Sequence, residues 1–319
     1  MSKNLSQQVV LDRRGFVAAT FATVAGLGLA GCSDTSAEAD KGSAAGSSKS
    51  SKNTEASTTL DAKAFDKLVN DGPKADDDAI AASTWATAVK DAGVFTIGGV
   101  QTSTLFSLLN EKDGQTRGFD AGIAQLLSNY ILGENKVEIT QVTSDTRESV
   151  LQNGQVDAVF ATYTITDERK KSWDFSTPYR TDYVGLMVKK RSGFTSIEDL
   201  DGKVIGVSQG ATTQGLIEQM IKDNGFSCKP EFRAFSGYPI IKSSLDAGNI
   251  DVFAMDRSTL AGYMNETVEL LQPEVKFGEQ GYGVATKKDC DLSAVVDQVV
   301  CDRLADGWLD QEVKTWGLV

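Results

Sequence analysis

The sequence predicts an α/β protein built from two similar lobes. Segments with the apolar pattern of buried strands alternate with segments of helical periodicity, which favours parallel sheets with helices on both faces. In addition, one unit of helix, glycine and apolar strand occurs twice, at residues 151–160 and again at 245–253. Both copies carry an aspartate near the start of the strand, Asp157 and Asp251. We therefore expect two α/β lobes; chance repetition of a common helix-to-strand turn is the alternative.

The first 32 residues have the features of an export signal. Arg13 and Arg14 open a stretch without acidic residues that ends in Leu-Ala-Gly-Cys at 29–32. A charged segment, a short apolar run and small residues are typical of such signals, and adjacent arginines are typical of the twin-arginine subtype. The last four residues resemble a bacterial lipobox, so we expect Cys32 to be lipidated and to begin the mature chain. A cleaved signal with an incidental cysteine and an uncleaved anchor are the alternatives.

Residues 33–59 predict a flexible tether, and residues 60–91 predict a peripheral helical segment. The tether is rich in Ser, Ala, Gly, Lys and Glu and contains no aromatic residue. Such a composition cannot bury enough apolar surface to offset the entropy of ordering the chain. After the tether, Phe65 and Val69 show a weak helical periodicity, which the three aspartates at 76–78 interrupt.

The residue content argues against several classes of function. The net charge is −12 and the isoelectric point is near 4.6, without a basic stripe, so nucleic-acid binding is disfavoured. The lack of histidine removes the commonest general base and the commonest neutral metal ligand. The cysteines after Cys32 (Cys228, Cys290 and Cys301) match no zinc-binding spacing. Their disulfide pairing stays open, although one straight helix would separate Cys290 and Cys301 by about 16 Å, too far for a bridge. We expect neither a metal nor a cofactor.

Apolar spacing and stop signals predict the elements of the lobes. Asp120 is the expected N-cap of the longest helix, in which apolar residues recur at helical spacing. Asn153 and Gly154 end the short helix of the first repeated unit. In chain order we expect a strand at 94–100, a helix at 119–132, a strand at 137–142, a helix at 147–152, a strand at 156–161, a strand at 203–207 and a helix at 214–222.

Polar residues follow three of the predicted strands, where α/β sheets bind their ligands. Residues 161–169 follow the first repeated unit, Asp256 follows the second, and residues 208–213 lead from a strand into a helix. Arg169 offers a planar fork suited to a carboxylate, and the N–H groups that open the helix favour an anion. Asp256 supplies the counter-charge for an ammonium. Because burial of a charge is costly unless it is paired, such a set would suit a zwitterion.

Each of these residues also has a purely structural alternative. Arg169 belongs to the charged run at 167–171, which is typical of a solvated surface. Asp256 and Thr212 each precede a helical stretch and would serve as ordinary N-caps. The threonines that follow the strand of the first repeated unit would be turn residues.

Six segments occur together in a characteristic order: Gly-Phe-Asp at 118–120, residues 151–169, Asp-Phe-Ser-Thr-Pro-Tyr at 174–179, residues 200–207, Gln-Gly-Ala-Thr at 209–212 and Tyr-Gly-Val-Ala at 282–285. In this combination the chain resembles the polar amino-acid-binding proteins of bacterial ABC importers, the family 3 solute-binding proteins, from about residue 92 to 318. The resemblance implies a periplasmic-binding-protein-like type II fold, in which two α/β lobes joined by a two-segment hinge close on an amino acid.

The resemblance also implies where the lobes begin and end. It places the first lobe at 92–182 and 279–319 and the second lobe at 183–278. The two hinge segments are expected near 181–185 and 277–282.

The resemblance implies roles for five residues in binding the backbone groups of an amino acid. Arg169 would bind the α-carboxylate, and Thr164 and Thr212 would donate hydrogen bonds to it. Asp256 would hold the α-ammonium with help from Thr162.

Five further positions bear on affinity and on the choice of ligand. Arg147 matches the position that contacts the side-chain carboxylate in binders of acidic amino acids, and Ser208 lies where those binders often place a hydroxyl. Gly210 and Ala211 would contribute backbone N–H groups, and Phe106 is the candidate aromatic cover in the loop after the first strand. The resemblance therefore favours glutamate or aspartate, with glutamine, cystine or another polar amino acid as alternatives. For Arg147, an ion pair with a neighbouring carboxylate is the structural alternative.

The partners follow from the same resemblance. It implies a free amino acid as ligand, an ABC importer permease as membrane partner, and a monomer held on the outer face of the cell membrane by lipid on Cys32. It implies a binding protein and not an enzyme. A dehydratase on the same fold and a sensor that signals to a membrane receptor are the alternatives.

Overall fold

The computed structural model describes residues 61–316; the predicted export signal, the tether and Cys32 lie outside this range. None of the helices in the described range is long and apolar enough to cross a membrane. The helices are α1 (Ala62–Asn70), α2 (Asp77–Ala81), α3 (Thr84–Ala92), α4 (Phe119–Leu132), α5 (Arg147–Gln152), α6 (Asp167–Lys170), α7 (Thr213–Asp223), α8 (Tyr238–Ala247), α9 (Arg257–Ala261), α10 (Leu292–Ala305) and α11 (Trp308–Thr315). The strands are β1 (Phe95–Gly99), β2 (Thr102–Ser103), β3 (Ser107–Asn110), β4 (Gln115–Arg117), β5 (Val137–Gln141), β6 (Ala158–Phe160), β7 (Trp173–Phe175), β8 (Arg180–Lys189), β9 (Val204–Ser208), β10 (Glu231–Phe235), β11 (Val252–Asp256), β12 (Val268–Leu270), β13 (Phe277–Tyr282) and β14 (Ala285–Lys287).

Two mixed sheets form the centres of two lobes. In the first lobe the strand order is β5-β1-β6-β14-β7, with β1 parallel to β5 and β6. In the second lobe the order is β10-β9-β11-β8-β12, with β9 parallel to β10 and β11. A small antiparallel sheet of β2, β3 and β4 is also present. Both sheets therefore contain three neighbouring parallel strands, in agreement with the two similar α/β lobes that the internal repeat predicts.

The repeated unit forms the same structure in both lobes. In each copy a glycine with positive φ follows the helix, Gly154 after the C-cap Asn153 and Gly248 as the C-cap itself, and the chain then enters a central strand. Asp157 Oδ2 accepts a hydrogen bond from the backbone N–H of Thr96 in β1, at 3.0 Å. Asp251 Oδ2 accepts the corresponding bond from the backbone N–H of Val204 in β9, at 2.9 Å. The aspartate of each copy thus fastens the turn to the neighbouring strand.

Two chain segments cross between the lobes. β8 begins at Arg180, β13 ends at Tyr282, and the two strands pair antiparallel with Thr181 opposite Gly281. A pair of extended segments is a connection that can bend in a hinge motion. The hinge positions inferred from the sequence fall in these two strands, while the residues that bound each lobe stay a prediction.

The three helices before β1 pack into the first lobe. The side chains of Asp61, Asp76 and Ser83 accept hydrogen bonds from backbone N–H groups and cap α1, α2 and α3. Phe65 of α1 is buried in the same apolar core as residues of α4 and α11. The segment predicted at 60–91 thus contains three helices, and their buried apolar residues belong to the core of the first lobe; its peripheral character stays a prediction.

Helix α4 has the predicted limits, but the prediction of Asp120 as its N-cap is wrong. The N-cap is Gly118, whose φ is 138°. A Cβ atom at Gly118 would lie 2.3 Å from a backbone atom of the preceding loop, so only glycine fits there. Asp120 is buried in the first turn and accepts hydrogen bonds from Thr162 N at 2.7 Å and from the Tyr179 hydroxyl at 2.8 Å. It therefore joins α4 to other parts of the lobe.

The cysteines of the described range are free thiols. Cys228 is buried, and Cys290 and Cys301 are partly buried. Cys301 Sγ donates to Thr177 Oγ1 at 3.4 Å. The disulfide that the sequence left open is thus not formed among these three residues.

Glu312 of α11 is a fully buried carboxyl group in the first lobe. Neither of its oxygens has a hydrogen-bond partner within residues 61–316. It packs against α4, where a Cβ atom on Gly122 would lie 1.6 Å from Glu312 Oε1. Burial raises the pKa of Glu312 well above its ordinary value, because the charged form loses its hydration.

We expect Glu312→Gln to stabilise the fold more at pH 8 than at pH 5. The folded wild type holds a proton on Glu312 that the unfolded chain releases above about pH 4.3, so this residue lowers stability as pH rises toward its folded pKa. Glutamine removes the titration, and the gain at pH 8 relative to pH 5 should be at least about 1.4 kcal/mol, the equivalent of one pKa unit. Thermal unfolding of both proteins at the two pH values measures it. An equal effect of the substitution at both pH values would show that Glu312 does not hold a proton in the fold.

Candidate functional site

The loops after β6, β9 and β11 meet between the two lobes. Arg169 of α6 joins the first two, because its Nη1 donates to Thr164 O at 2.7 Å and its Nη2 donates to Gly210 O at 3.1 Å. The side chain of Arg169 is only 12% exposed, which excludes the solvated surface considered as its alternative. Asp256, at the end of β11, is 2% exposed. The cation and the anion that the sequence singles out are thus both withdrawn from solvent.

Arg147 and Arg169 lie against the same aromatic ring. The guanidinium carbon of Arg147 is 3.8 Å from the centre of the Tyr163 ring, and that of Arg169 is 4.6 Å from it. The two guanidinium carbons therefore lie within 8.4 Å of each other, the sum of these distances. Contact with a ring face stabilises a desolvated cation by about 2 kcal/mol, which offsets part of the repulsion between the two arginines.

Neither guanidinium has a close carboxylate partner within the described residues. Arg147 Nη1 donates to Ala161 O at 2.9 Å, and Arg147 Nε has no partner in that range. Glu148 Oε1 is 3.9 Å from Arg169 Nε and accepts instead from the Tyr163 hydroxyl at 2.5 Å. Burial and then the charge of Arg147 lower the pKa of Arg169 to about 10. Burial also lowers the pKa of Arg147. Because these buried cations are bonded mainly to carbonyl oxygens, their positive charge is not neutralised, and an anion bound beside them would be stabilised.

Gln280 of β13 connects predicted ligand-binding residues of the two lobes. Gln280 Nε2 donates to Asp256 Oδ1 at 2.5 Å. Gln280 Oε1 accepts from the hydroxyl of Thr164 at 2.9 Å and also from the hydroxyl of Thr212. Asp256, Thr164 and Thr212 thus form one hydrogen-bond network through a hinge strand.

Asp256 and Thr212 occupy N-cap positions, as their structural alternatives predict. Asp256 precedes α9 and Thr212 precedes α7, but neither side chain makes a capping hydrogen bond. Both side chains bond to Gln280 instead. Their side chains are therefore directed into the network and not toward the helix ends.

The carboxyl group of Asp256 is held in an unfavourable environment for its charge. Burial and then the charge of Asp182 raise the pKa of Asp256 to about 7, while the nearby Tyr282 hydroxyl and the hydrogen bond from Gln280 oppose the shift. An adjacent ammonium would favour the ionised form of such a group. Within residues 61–316, no group of three or more His, Cys, Asp or Glu side chains is placed to hold a metal ion.

Thr162 has a strained backbone at the start of the loop after β6. Its φ is 42°, a region that costs a non-glycine residue about 1–3 kcal/mol and is often found at ligand sites. The buried carboxylate of Asp120 accepts the Thr162 N–H at 2.7 Å and so supports this conformation. Burial raises the pKa of Asp120 to about 6, and the bond from Thr162 opposes the rise.

The loop after β9 packs closely on the first lobe. Ser208 Oγ is 3.4 Å from Ser144 Oγ. Gly210 has a φ of 76°, and a Cβ atom on it would lie 2.7 Å from Ser144 O, so the close approach of the lobes requires glycine. The N–H of Ala211 donates to Ser208 O at 3.2 Å and closes a turn.

The prediction that Phe106 covers the ligand is wrong. Phe106 is fully buried in the core of the first lobe. Its ring packs edge-on against Phe119 at 6.2 Å and Tyr282 at 6.1 Å between ring centres. The phenyl ring stabilises the fold in this core, because burial of such a side chain contributes about 1.5–3 kcal/mol to the free energy of unfolding.

The sequence-based prediction missed several residues of this site. Tyr163 lies between Thr162 and Thr164, and Glu148 is next to Arg147. Their positions beside predicted ligand-binding residues could have indicated that they belong to the site. Gln280 lies in a predicted hinge segment, but nothing in the sequence indicates that its side chain points to Asp256.

Comparison with known proteins gives the family. The family model described as bacterial extracellular solute-binding proteins, family 3, matches residues 95–319. The chain is 33% identical over 233 residues to the glutamine-binding protein of an ABC transporter of Bacillus subtilis (strain 168), which covers 72% of this chain and 83% of that protein. It is 29% identical over 212 residues to a glutamate-binding protein of Corynebacterium efficiens, with 62% of this chain and 70% of that protein covered.

A solved structure has the same architecture. An ancestral arginine-binding protein bound to arginine superposes with a TM-score of 0.62 at 29% identity, covering 70% of this chain and 98% of the other. The fold is therefore the periplasmic-binding-protein-like type II fold, with two α/β lobes joined by two crossing segments. The ligands for which these relatives are named differ, being glutamine, glutamate and arginine. The match over most of the chain shows that this protein belongs to the bacterial extracellular solute-binding proteins, family 3.

Proposed function

We propose that the chain is an extracytoplasmic lipoprotein that binds glutamate or aspartate between its lobes and delivers it to the permease of an ABC importer. The relative at 33% identity is the binding protein of an ABC transporter, which supports the transport role. Lipid on Cys32 would hold the protein at the outer face of the membrane, and the intact mass of the exported protein checks this part. A catalytic role is not proposed, since the relatives named above are binding proteins.

One observation carries the choice of an acidic ligand. Two buried guanidiniums share the ring of Tyr163, and their close hydrogen bonds go to backbone carbonyls. Glutamate and aspartate each carry two carboxylates and one ammonium. The site offers two guanidiniums, Arg147 and Arg169, and the carboxylate of Asp256. The charges are equal in number and opposite in sign, so every buried charge of the ligand has a partner.

The proposed contacts use both lobes, so that binding favours the closed state. Planar guanidiniums suit carboxylates because they donate two parallel hydrogen bonds. The contacts are Arg169, Thr164, Thr212 and the backbone at Gly210 and Ala211 to the α-carboxylate, Asp256 and Thr162 to the α-ammonium, and Arg147 and Ser208 to the side-chain carboxylate. On binding, the hydroxyls of Thr164 and Thr212 would exchange their bonds to Gln280, and the N–H of Ala211 its bond to Ser208, for bonds to the ligand.

Glutamine is the second candidate ligand, because the relative at 33% identity binds it. Its carboxamide offers one acceptor and two N–H donors, whereas a guanidinium such as Arg147 needs acceptors. A side chain with a further cation would meet two buried arginines, so a basic ligand is disfavoured.

We expect acidic amino acids to raise the melting temperature of the protein more than other amino acids do. A ligand at about 100 times its Kd adds about 2.7 kcal/mol to the stability of the folded state, or about 5–10 °C for a protein of this size. A thermal-shift screen of the common amino acids measures the effect. Glycine is the matched control, since it has the same α-groups without a side-chain carboxylate. If glutamate and aspartate raise the melting temperature no more than glycine does, the acidic ligand is wrong; if no amino acid raises it, amino-acid binding is wrong.

A further inference from the structure

Tyr238 is a buried side chain of the second lobe whose hydroxyl lacks a partner. It is the first residue of α8 and is 2% exposed. Within residues 61–316 its hydroxyl makes no hydrogen bond. A buried hydroxyl without a partner destabilises the fold, so its presence calls for an acceptor that is not part of this chain's described residues.

The phenol of Tyr238 lies beside groups of the first lobe. Burial raises its pKa, while the hydroxyls of Ser144 and Thr162 and the charge of Arg147 lower it, although neither hydroxyl completes a hydrogen bond with the phenol oxygen. In the same way, Tyr238 is one of the groups that raise the pKa of Arg147 against the effect of burial. Arg147 Nε is a second buried donor without a partner in the described range. Tyr238 also belongs to the same buried cluster as Tyr163, and the guanidinium carbon of Arg147 lies 3.8 Å from the centre of the Tyr163 ring. The two unsatisfied donors, one from each lobe, therefore lie in the same region.

We infer that Tyr238 is a specificity-determining residue, whose hydroxyl donates to the side-chain carboxylate of the ligand from the second lobe while Arg147 binds that carboxylate from the first. This inference rests on the proposed function. A carboxylate only accepts hydrogen bonds and so satisfies both donors. A carboxamide presents N–H donors to the same groups and leaves one of them unsatisfied, which a buried site penalises.

The position of the two donors also connects selectivity to closure. Arg147 belongs to α5 of the first lobe and Tyr238 to α8 of the second. A side-chain carboxylate held by both would therefore stabilise the closed state, and a ligand that satisfies only one of them would do so less.

Tyr238→Phe tests this inference, because it removes the hydroxyl and keeps the ring. We expect the affinity for the acidic amino acid that the wild type binds most tightly to fall at least tenfold by calorimetry. The affinity for glutamine should fall less than threefold. The melting temperature without ligand should stay equal or rise, since the variant loses an unsatisfied hydroxyl. Tyr130→Phe is the matched control: Tyr130 is a partly buried tyrosine of α4 that packs on the core of the first lobe, and its loss of a hydroxyl should leave both affinities unchanged.

Two results would overturn the role of Tyr238 and leave the proposed function standing. One is an affinity of Tyr238→Phe for the acidic ligand within twofold of the wild type. The other is an equal loss for glutamate and glutamine together with a lower melting temperature of the ligand-free protein, which would indicate a structural role. Failure of the wild type to bind any acidic amino acid would instead refute the proposed function itself.

Discussion

Replacement of Arg169 with alanine is expected to lower the affinity for the amino acid at least a hundredfold. Removal of one partner of a buried charge pair costs about 3–5 kcal/mol, and each 1.4 kcal/mol corresponds to a factor of ten in Kd. Arg169 also donates to Thr164 O and to Gly210 O, which belong to loops of different lobes. The variant therefore loses both a ligand contact and a contact between the lobes. Isothermal titration calorimetry measures the affinity.

Two further variants control this experiment. Arg169→Lys keeps the positive charge without the fork and should have an intermediate affinity. Lys171→Ala removes a neighbouring cation whose side chain is 69% exposed and pairs with Glu168, so it should change the affinity by less than twofold. An unchanged affinity in Arg169→Ala, with a normal melting temperature, would rule out the proposed role of Arg169.

The second large effect concerns stability. We expect Phe65→Ala to lower the free energy of unfolding by about 3–5 kcal/mol, because it leaves a cavity in the core where a fully buried aromatic ring packs. The ring of Phe65 packs 4.9 Å from that of Trp316, between ring centres, in the core of the first lobe. The corresponding fall in melting temperature is about 10 °C. Thermal unfolding with and without ligand measures it, and ligand binding should persist at a temperature where the variant is folded.

This result matters because Phe65 precedes the residues that match the family model, 95–319. Lys63→Ala, on the exposed side of the same helix, is the control and should change stability by less than about 0.5 kcal/mol. If Phe65→Ala is as stable as the control, helix α1 is not part of the cooperative fold.

Local patterns were sufficient to predict several elements. The helix expected at 119–132 has those limits in the structure, where it is buried on almost all sides and a glycine stands directly before and after it. The short helix at 147–152 also has the predicted limits. The strand expected at 156–161 is shorter, Ala158–Phe160, since Asp157 turns its carboxylate to the neighbouring strand. The spacing of apolar residues does not show where strand pairing begins, because here a side chain accepts the backbone N–H that a neighbouring strand would otherwise bind.

The parts of the site that depend on distant contacts were not predictable. Gln280 is 24 positions from Asp256 and 116 from Thr164, and their hydrogen bonds form only when the hinge strand lies between the lobes. Phe106 was placed in the wrong environment, because the sequence of a loop does not show which way its aromatic ring points. Arg169 and Asp256 both follow predicted strands, but the resemblance to the family singled them out as ligand-binding residues. The structure brings them into one site, and their roles toward a ligand stay a prediction.

The central claim is that one small molecule is held by guanidiniums at its carboxylates and by Asp256 at its ammonium. A crystal structure of the protein grown with glutamate tests it most directly. We predict the α-carboxylate on Arg169, the side-chain carboxylate on Arg147 and the ammonium within hydrogen-bond distance of Asp256. A ligand bound between the lobes without contact to Arg169 or Asp256 would contradict the account.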